Sequence, residues 1–191
     1  MNVIYMIRHG ETDANKNFIV QGRMDNPLNQ NGIEQAEKTG LYLKNHNEHF
    51  DLIVASPLKR AYDTAKIICK TLSEKKLVLT HSGFTERNFG DFDGKKIDAE
   101  YSHKVLNDEI PHMEKNEELE TRIFTALNEL CTRYPDKKIL IVAHSHVIKA
   151  VLVNLVSEFN YTSYLSNCSI NIIKHNNGKY SVDNYNINPL E

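Results

Sequence analysis

The stretch VIYMIRHGET, residues 3–12, joins a short apolar run to a segment of charged residues and glycine. Residues 3–7 are rich in side chains that favour β structure, and a short continuous apolar run of this kind predicts a buried strand. The run ends abruptly at Arg8-His9, so a cation and an imidazole stand at the carboxyl end of the predicted strand. Ligands of open α/β sheets bind outside the carboxyl ends of the strands, which makes this position the first candidate site.

Two later segments repeat this arrangement of an apolar run followed by polar residues. Residues 51–55 (DLIVA) predict a second buried strand, which closes at Ser56-Pro57. The run KILIVA, Lys138–Ala143, predicts the clearest strand of the chain, and His144 follows it directly. A weaker strand is predicted at residues 77–80.

Amphipathic helical patterns separate these strands, and a hairpin pattern closes the chain. The helices are predicted from Asn31 to about Asn45, from Pro57 through Leu72, over residues 117–134, and from His144 through Val156. The turn sequence Asn176-Asn177-Gly178 lies between two short β-type runs and predicts a β-hairpin. Residues 81–111 are predicted to be loop-like. Alternating strands and helices predict a three-layer α/β/α sandwich with a mostly parallel central sheet and a C-terminal β-hairpin.

Length and composition indicate one globular domain, over residues 1–189. The 191 residues are 40% apolar and 25% charged, and their formal net charge is −2. No basic excess is present, so a nucleic-acid partner is not expected. The N-terminal run is too short for a signal peptide and no run has the length of a membrane span, which predicts a cytoplasmic protein without a membrane partner. Leu190-Glu191 is treated as a cloning scar and given no weight.

The cysteines predict nothing beyond reduced thiols. Cys69, Cys131 and Cys168 are odd in number, widely spaced and without a metal-binding signature. Reduced thiols of this kind are typical of cytosolic proteins. The oligomeric state is left open, with a homodimer as one alternative.

Three strand ends of the predicted sheet carry residues suited to an anionic ligand. Arg8-His9 follows the first strand, Arg60 lies just after the second, and His144 follows the fourth. Guanidinium groups bind phosphate oxygens in a bidentate manner, and neutral imidazole is a nucleophile near pH 7 that can accept a phosphoryl group. Helix N-termini after Thr12 and His144 would add backbone donors. The combination indicates a phosphoryl-transfer site.

Five motifs in order resemble those of the histidine phosphatase superfamily, the phosphoglycerate mutase-like group. They are Arg8-His9-Gly10-Glu11-Thr12 with Asn15, Gln21-Gly22-Arg23, Ser56-Pro57-Leu58-Lys59-Arg60-Ala61 with Thr64-Ala65, Glu86 ahead of Phe89-Gly90 and Gly94, and Val142-Ala143-His144. The segment Asn167-Cys168-Ser169-Ile170 is similar to the C-terminal strand motif of that family. The resemblance covers nearly the whole chain.

The resemblance implies a role for each matching residue. His9 would attack phosphorus, Arg8, Arg60 and His144 would surround the equatorial oxygens, and Glu86 would protonate the leaving group. The residues implied in phosphate or substrate binding are Asn15, Gln21, Gly22 and Ser145. No metal and no cofactor is implied, and the partner would be a small phosphorylated metabolite.

Several assignments stay open at the level of the sequence. Glu11, Asp91 and Asp93 compete with Glu86 as the acid, although the glycines that follow Glu86 favour it. Gln21 either lines the substrate mouth or bonds loop backbone. The family commonly has glycine after its second histidine, where this chain has Ser145. The next residue, His146, either reaches the pocket or points away into the helix, and we favour the second.

Three functions share these motifs: a phosphatase, a cofactor-dependent phosphoglycerate mutase and a non-catalytic module that binds a phosphorylated ligand. Mutases carry paired arginines for the substrate carboxylate in a longer insertion after the acid, whereas residues 95–116 here contain no arginine. None of the catalytic residues is missing, which disfavours the binding module. We therefore predict a metal-independent phosphomonoester hydrolase with a phosphohistidine intermediate. Lys16, Arg23 and Lys95 are interpreted as a hint of anionic substrates.

Overall fold

The computed structural model describes residues 1–73 and 75–191 and consists of one sheet covered by helices. The strands are β1 (Asn2–Arg8), β2 (Leu52–Ala55), β3 (Val78–Thr80), β4 (Lys138–Ala143), β5 (Ile170–Asn176) and β6 (Lys179–Ile187). The helices are α1 (Asp13–Lys16), α2 (Gln30–Asn45), α3 (Lys59–Thr71), α4 (Tyr101–Leu106), α5 (Asn116–Arg133) and α6 (Ser145–Leu155). Single turns of 3₁₀ helix cover Ser82–Phe84 and Gly90–Phe92.

The sheet is mixed, with strand order β3-β2-β4-β1-β5-β6. The pairs formed among β3, β2, β4 and β1 are parallel, whereas β5 is antiparallel to both β1 and β6. The turn between β5 and β6 places Asn177 and Gly178 at positive φ, a conformation that asparagine and glycine tolerate. The predicted parallel core and C-terminal hairpin are both confirmed.

The sheet buries both of its faces, as the apolar strands require. Along β1, Ile4 and Met6 belong to one apolar core, while Tyr5 and Ile7 belong to the other. This alternation follows from the two-residue period of a strand. Helices α5 and α6 pack on the first face, and α2 and α3 on the second. The three-layer α/β/α architecture is confirmed.

The residues between β3 and α5 are more ordered than the sequence predicts. Within the stretch predicted as a loop, α4 forms because the Asp98 carboxylate accepts a hydrogen bond from the Tyr101 amide at 2.8 Å and because Val105 is buried. A six-residue helix held by one buried apolar side chain leaves too weak a periodicity to recognise in the sequence.

The start of α3 also differs from the prediction. The helix begins at Lys59 rather than at Pro57. A carboxylate distant in sequence caps it, since Asp25 accepts a hydrogen bond from the Lys59 amide at 2.7 Å. Ser56 therefore does not cap α3. Its hydroxyl lies beside the residue that follows β4, His144.

The three cysteines are buried free thiols. Across the described residues, no helix combines the length and apolar character needed to cross a bilayer.

Candidate active site

The site begins where β1 and β4 end side by side. The register pairs Arg8 with Ala143, so the next residues, His9 and His144, come together. The His9 amide donates to the Ala143 carbonyl at 3.0 Å, and the centroids of the two imidazole rings lie 5.2 Å apart. Strand β2 ends beside them, because the Ser56 amide donates to the Val142 carbonyl at 3.0 Å. The three strand ends that the sequence singled out therefore meet.

His9 is held in one tautomer and stays neutral. Its Nδ1 lies 2.7 Å from the Gly10 carbonyl, which can only accept, so Nδ1 carries the proton. Its Nε2 then bears the lone pair and accepts a hydrogen bond from Arg60 Nε at 3.3 Å. Burial, together with the charges of Arg60 and Arg8, holds the pKa of His9 well below 6.5. A neutral imidazole whose Nε2 lone pair is released from this long hydrogen bond with Arg60 is a competent nucleophile.

Gly10 is required by close packing against the start of α2. A Cβ at this position would lie 2.4 Å from the Gly32 carbonyl oxygen, a distance that backbone cannot accommodate. The Gly10 amide donates to Thr64 Oγ1 at 3.1 Å, and Thr64 Oγ1 donates to the Arg60 carbonyl at 2.6 Å. The segment that carries His9 is thereby joined to the helix that carries Arg60.

His144 is wholly buried and has one nitrogen without a partner. Ser56 Oγ lies 2.7 Å from its Nε2 and also accepts a hydrogen bond from the Leu58 amide at 3.3 Å. The other ring nitrogen, Nδ1, has no hydrogen-bond partner among the described residues. His144 is not among the residues that line the cavity, and its ring packs against that of His9. Burial, followed by the charge of Arg60, keeps its pKa well below 6.5.

Two arginines at the cavity floor are oriented by carbonyl groups and not by carboxylates. Arg60 donates through Nη1 to the Met24 carbonyl at 2.6 Å and through Nη2 to the Gly22 carbonyl at 2.8 Å. Arg8 Nη1 donates to the Leu165 carbonyl at 2.5 Å, while its buried Nε has no partner in the described part of the chain. Burial lowers the pKa of Arg60 to about 10 and also lowers that of Arg8. Buried cations without a neutralising carboxylate favour an anionic ligand.

Asn15 lies on the cavity wall in a fixed orientation. Its Oδ1 accepts hydrogen bonds from the Thr12 amide at 3.2 Å and from Asn167 Nδ2 at 3.4 Å. The same Asn167 nitrogen donates to the His9 carbonyl at 3.0 Å. With its oxygen occupied, Asn15 turns an amide nitrogen toward ligands. Asn167, from the segment that resembles the C-terminal strand motif, therefore positions both residues.

Glu86 is the carboxylate that lines the cavity among the described residues. Its Oε1 accepts from the Arg87 amide at 2.9 Å and its Oε2 from the His146 amide at 3.4 Å. Burial raises the pKa of Glu86, and the Arg87 bond and the charge of Arg60 only partly offset this. A buried carboxyl group with a raised pKa is suited to donate a proton near neutral pH.

The three competing carboxylates lie outside the cavity. Glu11 accepts from Asn29 Nδ2 at 2.9 Å, and Asp91 pairs with His112 at 2.8 Å. Asp93 is partly buried behind Gly22 and does not line the cavity. Of the four candidate acids, only Glu86, which the sequence favoured, lines the cavity among the described residues.

The cavity above His9 has a volume of about 260 Å³. Its lining includes the segment at residues 19–22, with Gln21 and Gly22, the neighbouring Ile97, Phe89 and helix α4. Gln21 is held by Asn26, whose Nδ2 donates to Gln21 Oε1 at 3.2 Å. Ser145 also lines the cavity, as the first residue of α6; the N-cap position belongs to His144.

The prediction that His146 points away into the helix is wrong. Its ring lines the cavity, stacks on Tyr161 with the centroids 5.4 Å apart, and meets Phe89 edge-on at 4.8 Å. Arg87, which the sequence reading did not single out, is wholly buried beneath it. The Arg87 guanidinium donates to Asp108 at 2.8 Å and lies over the Tyr161 ring. This cluster holds the backbone on either side of the Glu86 carboxyl group.

Lys149 is a cavity residue that the sequence reading missed. It lies one turn beyond Ser145 on α6, is only 8% exposed, and donates from Nζ to the Tyr161 carbonyl at 2.7 Å. Lys16, Arg23 and Lys95, the cations that the sequence reading singled out, are exposed and do not line the cavity. The available signal was a lysine inside an otherwise apolar helical run.

No group of three or more metal-ligating side chains forms a candidate metal site in the described residues. The cations of the cavity, Arg8, Arg60 and Lys149, are donors suited to an oxyanion. A parallel sheet with such a cavity at its carboxyl edge is typical of an enzyme that binds phosphoryl groups.

The chain belongs to the histidine phosphatase superfamily, because the family model for its branch 1 matches residues 4–188. An uncharacterised phosphatase of Bacillus subtilis, PhoE, is 38% identical over 98% of this chain and 96% of its own. Together these matches make the chain a histidine phosphatase.

Solved structures agree on the fold. A phosphoserine phosphatase mutant from Entamoeba histolytica, in complex with phosphoserine, superposes with a TM-score of 0.85 at 27% identity, over 100% of both chains. A phosphoglycerate mutase from Bacillus anthracis superposes with a TM-score of 0.87 at 25% identity, over 97% of this chain and 92% of its own. The chain is therefore similar in fold both to a phosphatase and to a phosphoglycerate mutase, the two enzyme classes that the sequence left as alternatives.

Proposed function

We propose that this phosphatase is a metal-independent phosphomonoester hydrolase that acts on a small phosphorylated metabolite through a phosphohistidine intermediate, in one catalytic domain over residues 1–189. The observation that carries the proposal is the setting of His9. Its Nε2 lone pair lies at the cavity floor, 3.3 Å from Arg60 Nε, while Nδ1 is held by the Gly10 carbonyl. A neutral nucleophile beside a guanidinium group is what attack on a phosphate ester requires.

In the first step, His9 Nε2 attacks phosphorus and the bond from phosphorus to the ester oxygen breaks. The leaving alkoxide takes its proton from the Glu86 carboxyl group, whose raised pKa keeps that proton available. Arg8, Arg60 and His144 Nδ1–H stabilise the charge on the equatorial oxygens. The alcohol then leaves, and His9 carries the phosphoryl group.

In the second step, water attacks the phosphoryl group and the bond from phosphorus to nitrogen breaks. The Glu86 carboxylate accepts a proton from that water, and His9 recovers its lone pair. The products are inorganic phosphate and the neutral form of His9. Asn15, Gln21, Gly22 and Ser145 are proposed to bind phosphate or substrate, because each lines the cavity.

Mutase activity would require the intermediate to be kept from water and a substrate carboxylate to be clamped. The segment that would hold the clamp, residues 95–116, has no arginine, and α4 contributes Tyr101, Ser102 and Val105 to the cavity. Lysines on an exposed loop cannot replace the fixed, bidentate donors that a carboxylate clamp needs. These observations support hydrolysis. A non-catalytic module is disfavoured because Arg8, His9, Arg60 and Glu86 line one cavity, and His144 packs against His9.

The experiment follows phosphate release from a panel of phosphomonoesters, with 3-phosphoglycerate plus its bisphosphate included and 2-phosphoglycerate monitored in parallel. We expect phosphate release that is lost in His9→Ala and kept in His46→Ala, a control at an exposed histidine of α2's C-terminus. Radiolabelled substrate should leave acid-labile label on the wild-type chain only. Isomerisation without phosphate release would make the protein a mutase, and normal turnover in His9→Ala would refute the mechanism.

A further inference from the structure

Lys149 is a buried cation without a counter-ion. It is 8% exposed, its one hydrogen bond goes to the Tyr161 carbonyl, and within the described residues no carboxylate pairs with it. An ammonium group has three donors, so two remain unused. Burying an unpaired charge costs free energy, and buried charges are normally paired with an opposite charge.

The charges of the cavity do not balance for a simple phosphate ester. Its cations are Arg8, Arg60 and Lys149, and its carboxyl group is Glu86. With Glu86 protonated for catalysis, three positive charges face a phosphate monoester dianion. One positive charge is therefore left over, and Lys149, the cation without a place in the phosphoryl-transfer steps, carries it.

We propose that Lys149 binds a second anionic group of the substrate, and that the preferred substrates are small phosphomonoesters carrying a carboxylate close to the phosphate. This inference rests on the proposed function of the same cavity. Lys149 reaches the cavity from α6, where Tyr161 and Thr162 flank it at the wall. A carboxylate there would accept the two free Nζ donors while the phosphate remains on Arg8 and Arg60.

The protonation of Lys149 falls within a measurable range. Burial, and then the charge of Arg8, lowers its pKa to about 8, and Glu86 opposes this. Among the other titratable groups on the cavity wall, burial keeps the pKa of His146 well below 6.5 and raises the pKa values of Glu86, Tyr101 and Tyr161. Glu86 and the arginines act on the phosphate ester, which substrates with and without a carboxylate share. A change in the selectivity for a carboxylate near pH 8 should therefore report Lys149.

The test compares 3-phosphoglycerate with glycerol 3-phosphate, which carries a hydroxymethyl group in place of the carboxylate. In Lys149→Met, the ratio of kcat/KM for the two substrates should fall by about 10- to 100-fold, the value of a charge-assisted hydrogen bond. Lys96→Met, which removes an exposed charge next to the cavity-lining Ile97, should leave the ratio unchanged. Because the ratio cancels general damage, a purely structural role of Lys149 would not change it.

A second measurement needs no variant. The wild-type ratio should decline as pH rises through about 8, since kcat/KM reports the free enzyme and both substrates share the same phosphate chemistry. A flat ratio, or an unchanged ratio in Lys149→Met, would overturn the inference while hydrolysis that depends on His9 still supports the proposed function. Absence of His9-dependent hydrolysis would overturn both.

Discussion

Replacing Ser56 with alanine tests whether the hydrogen bond behind the catalytic histidines has a catalytic effect. Ser56 Oγ lies 2.7 Å from His144 Nε2 in a fully buried setting, where the Leu58 amide also donates to Oγ. We propose that Ser56 donates its proton to Nε2, which places the His144 proton on Nδ1, the nitrogen that has no partner among the described residues. Without that hydrogen bond, His144 can place its proton on Nε2 and present a lone pair to the phosphoryl oxygens.

The magnitude follows from the lost hydrogen bond. A neutral hydrogen bond contributes about 1 kcal/mol net, so its loss should lower kcat/KM by about fivefold. Removing the imidazole itself, in His144→Ala, should cost about 10²- to 10³-fold, as expected for one oxyanion donor. Because Nε2 is left buried and unsatisfied, Ser56→Ala should also lower the free energy of unfolding by about 1–3 kcal/mol.

The assay is a double-mutant cycle on kcat/KM with an aryl phosphate, with denaturant unfolding in parallel. If Ser56 acts through His144, Ser56→Ala should have little further effect on kcat/KM in the His144→Ala background. Equal losses in both backgrounds would show that Ser56 acts elsewhere. Wild-type activity in Ser56→Ala would refute the tautomer argument.

Four further outcomes are expected. Glu86→Gln should slow alkyl phosphates by about 10²- to 10⁴-fold and activated aryl phosphates much less, because good leaving groups need no proton; equal losses would exclude Glu86 as the acid. EDTA should leave turnover unchanged, and loss that a divalent cation restores would contradict metal independence. Gly10→Ala should destabilise the fold by about 1–3 kcal/mol in urea titrations, because its Cβ meets the Gly32 carbonyl; unchanged stability would mean that the backbone yields freely. The free energy of unfolding should also fall below pH 6.5, because the lowered pKa values of His9, His144 and His146 keep these residues neutral in the folded state while the unfolded chain takes up protons. Each histidine contributes up to about 1.4 kcal/mol per pH unit. A free energy of unfolding that stays constant from pH 7 to 5 would contradict the burial of these histidines.

Much of the fold and of the cavity floor could be predicted from the sequence because the signals are local. A buried parallel strand appears as a continuous apolar run, and the residues after it must lie at the carboxyl edge of the sheet. Arg8-His9 and His144 are therefore placed by strand register alone. Helix α4 was not predicted because its six residues show too weak a periodicity. The start of α3 was misplaced because Asp25, which accepts from its first amide, is distant in sequence.

Helix α6 shows where sequence reasoning stops for a physical reason. Its sequence, SHVIKAVLVNL, is apolar nearly all round, so periodicity defines no polar face and cannot say which side His146 or Lys149 occupies. The cost of burying a charge supplies the missing information. An apolar helix in a three-layer fold is covered on most sides, so a lysine within it must reach either solvent or a polar cavity. Lys149 does not reach bulk solvent, because it is almost fully buried. A lysine within an apolar helix that follows a site-bearing strand therefore indicates a residue that faces the ligand.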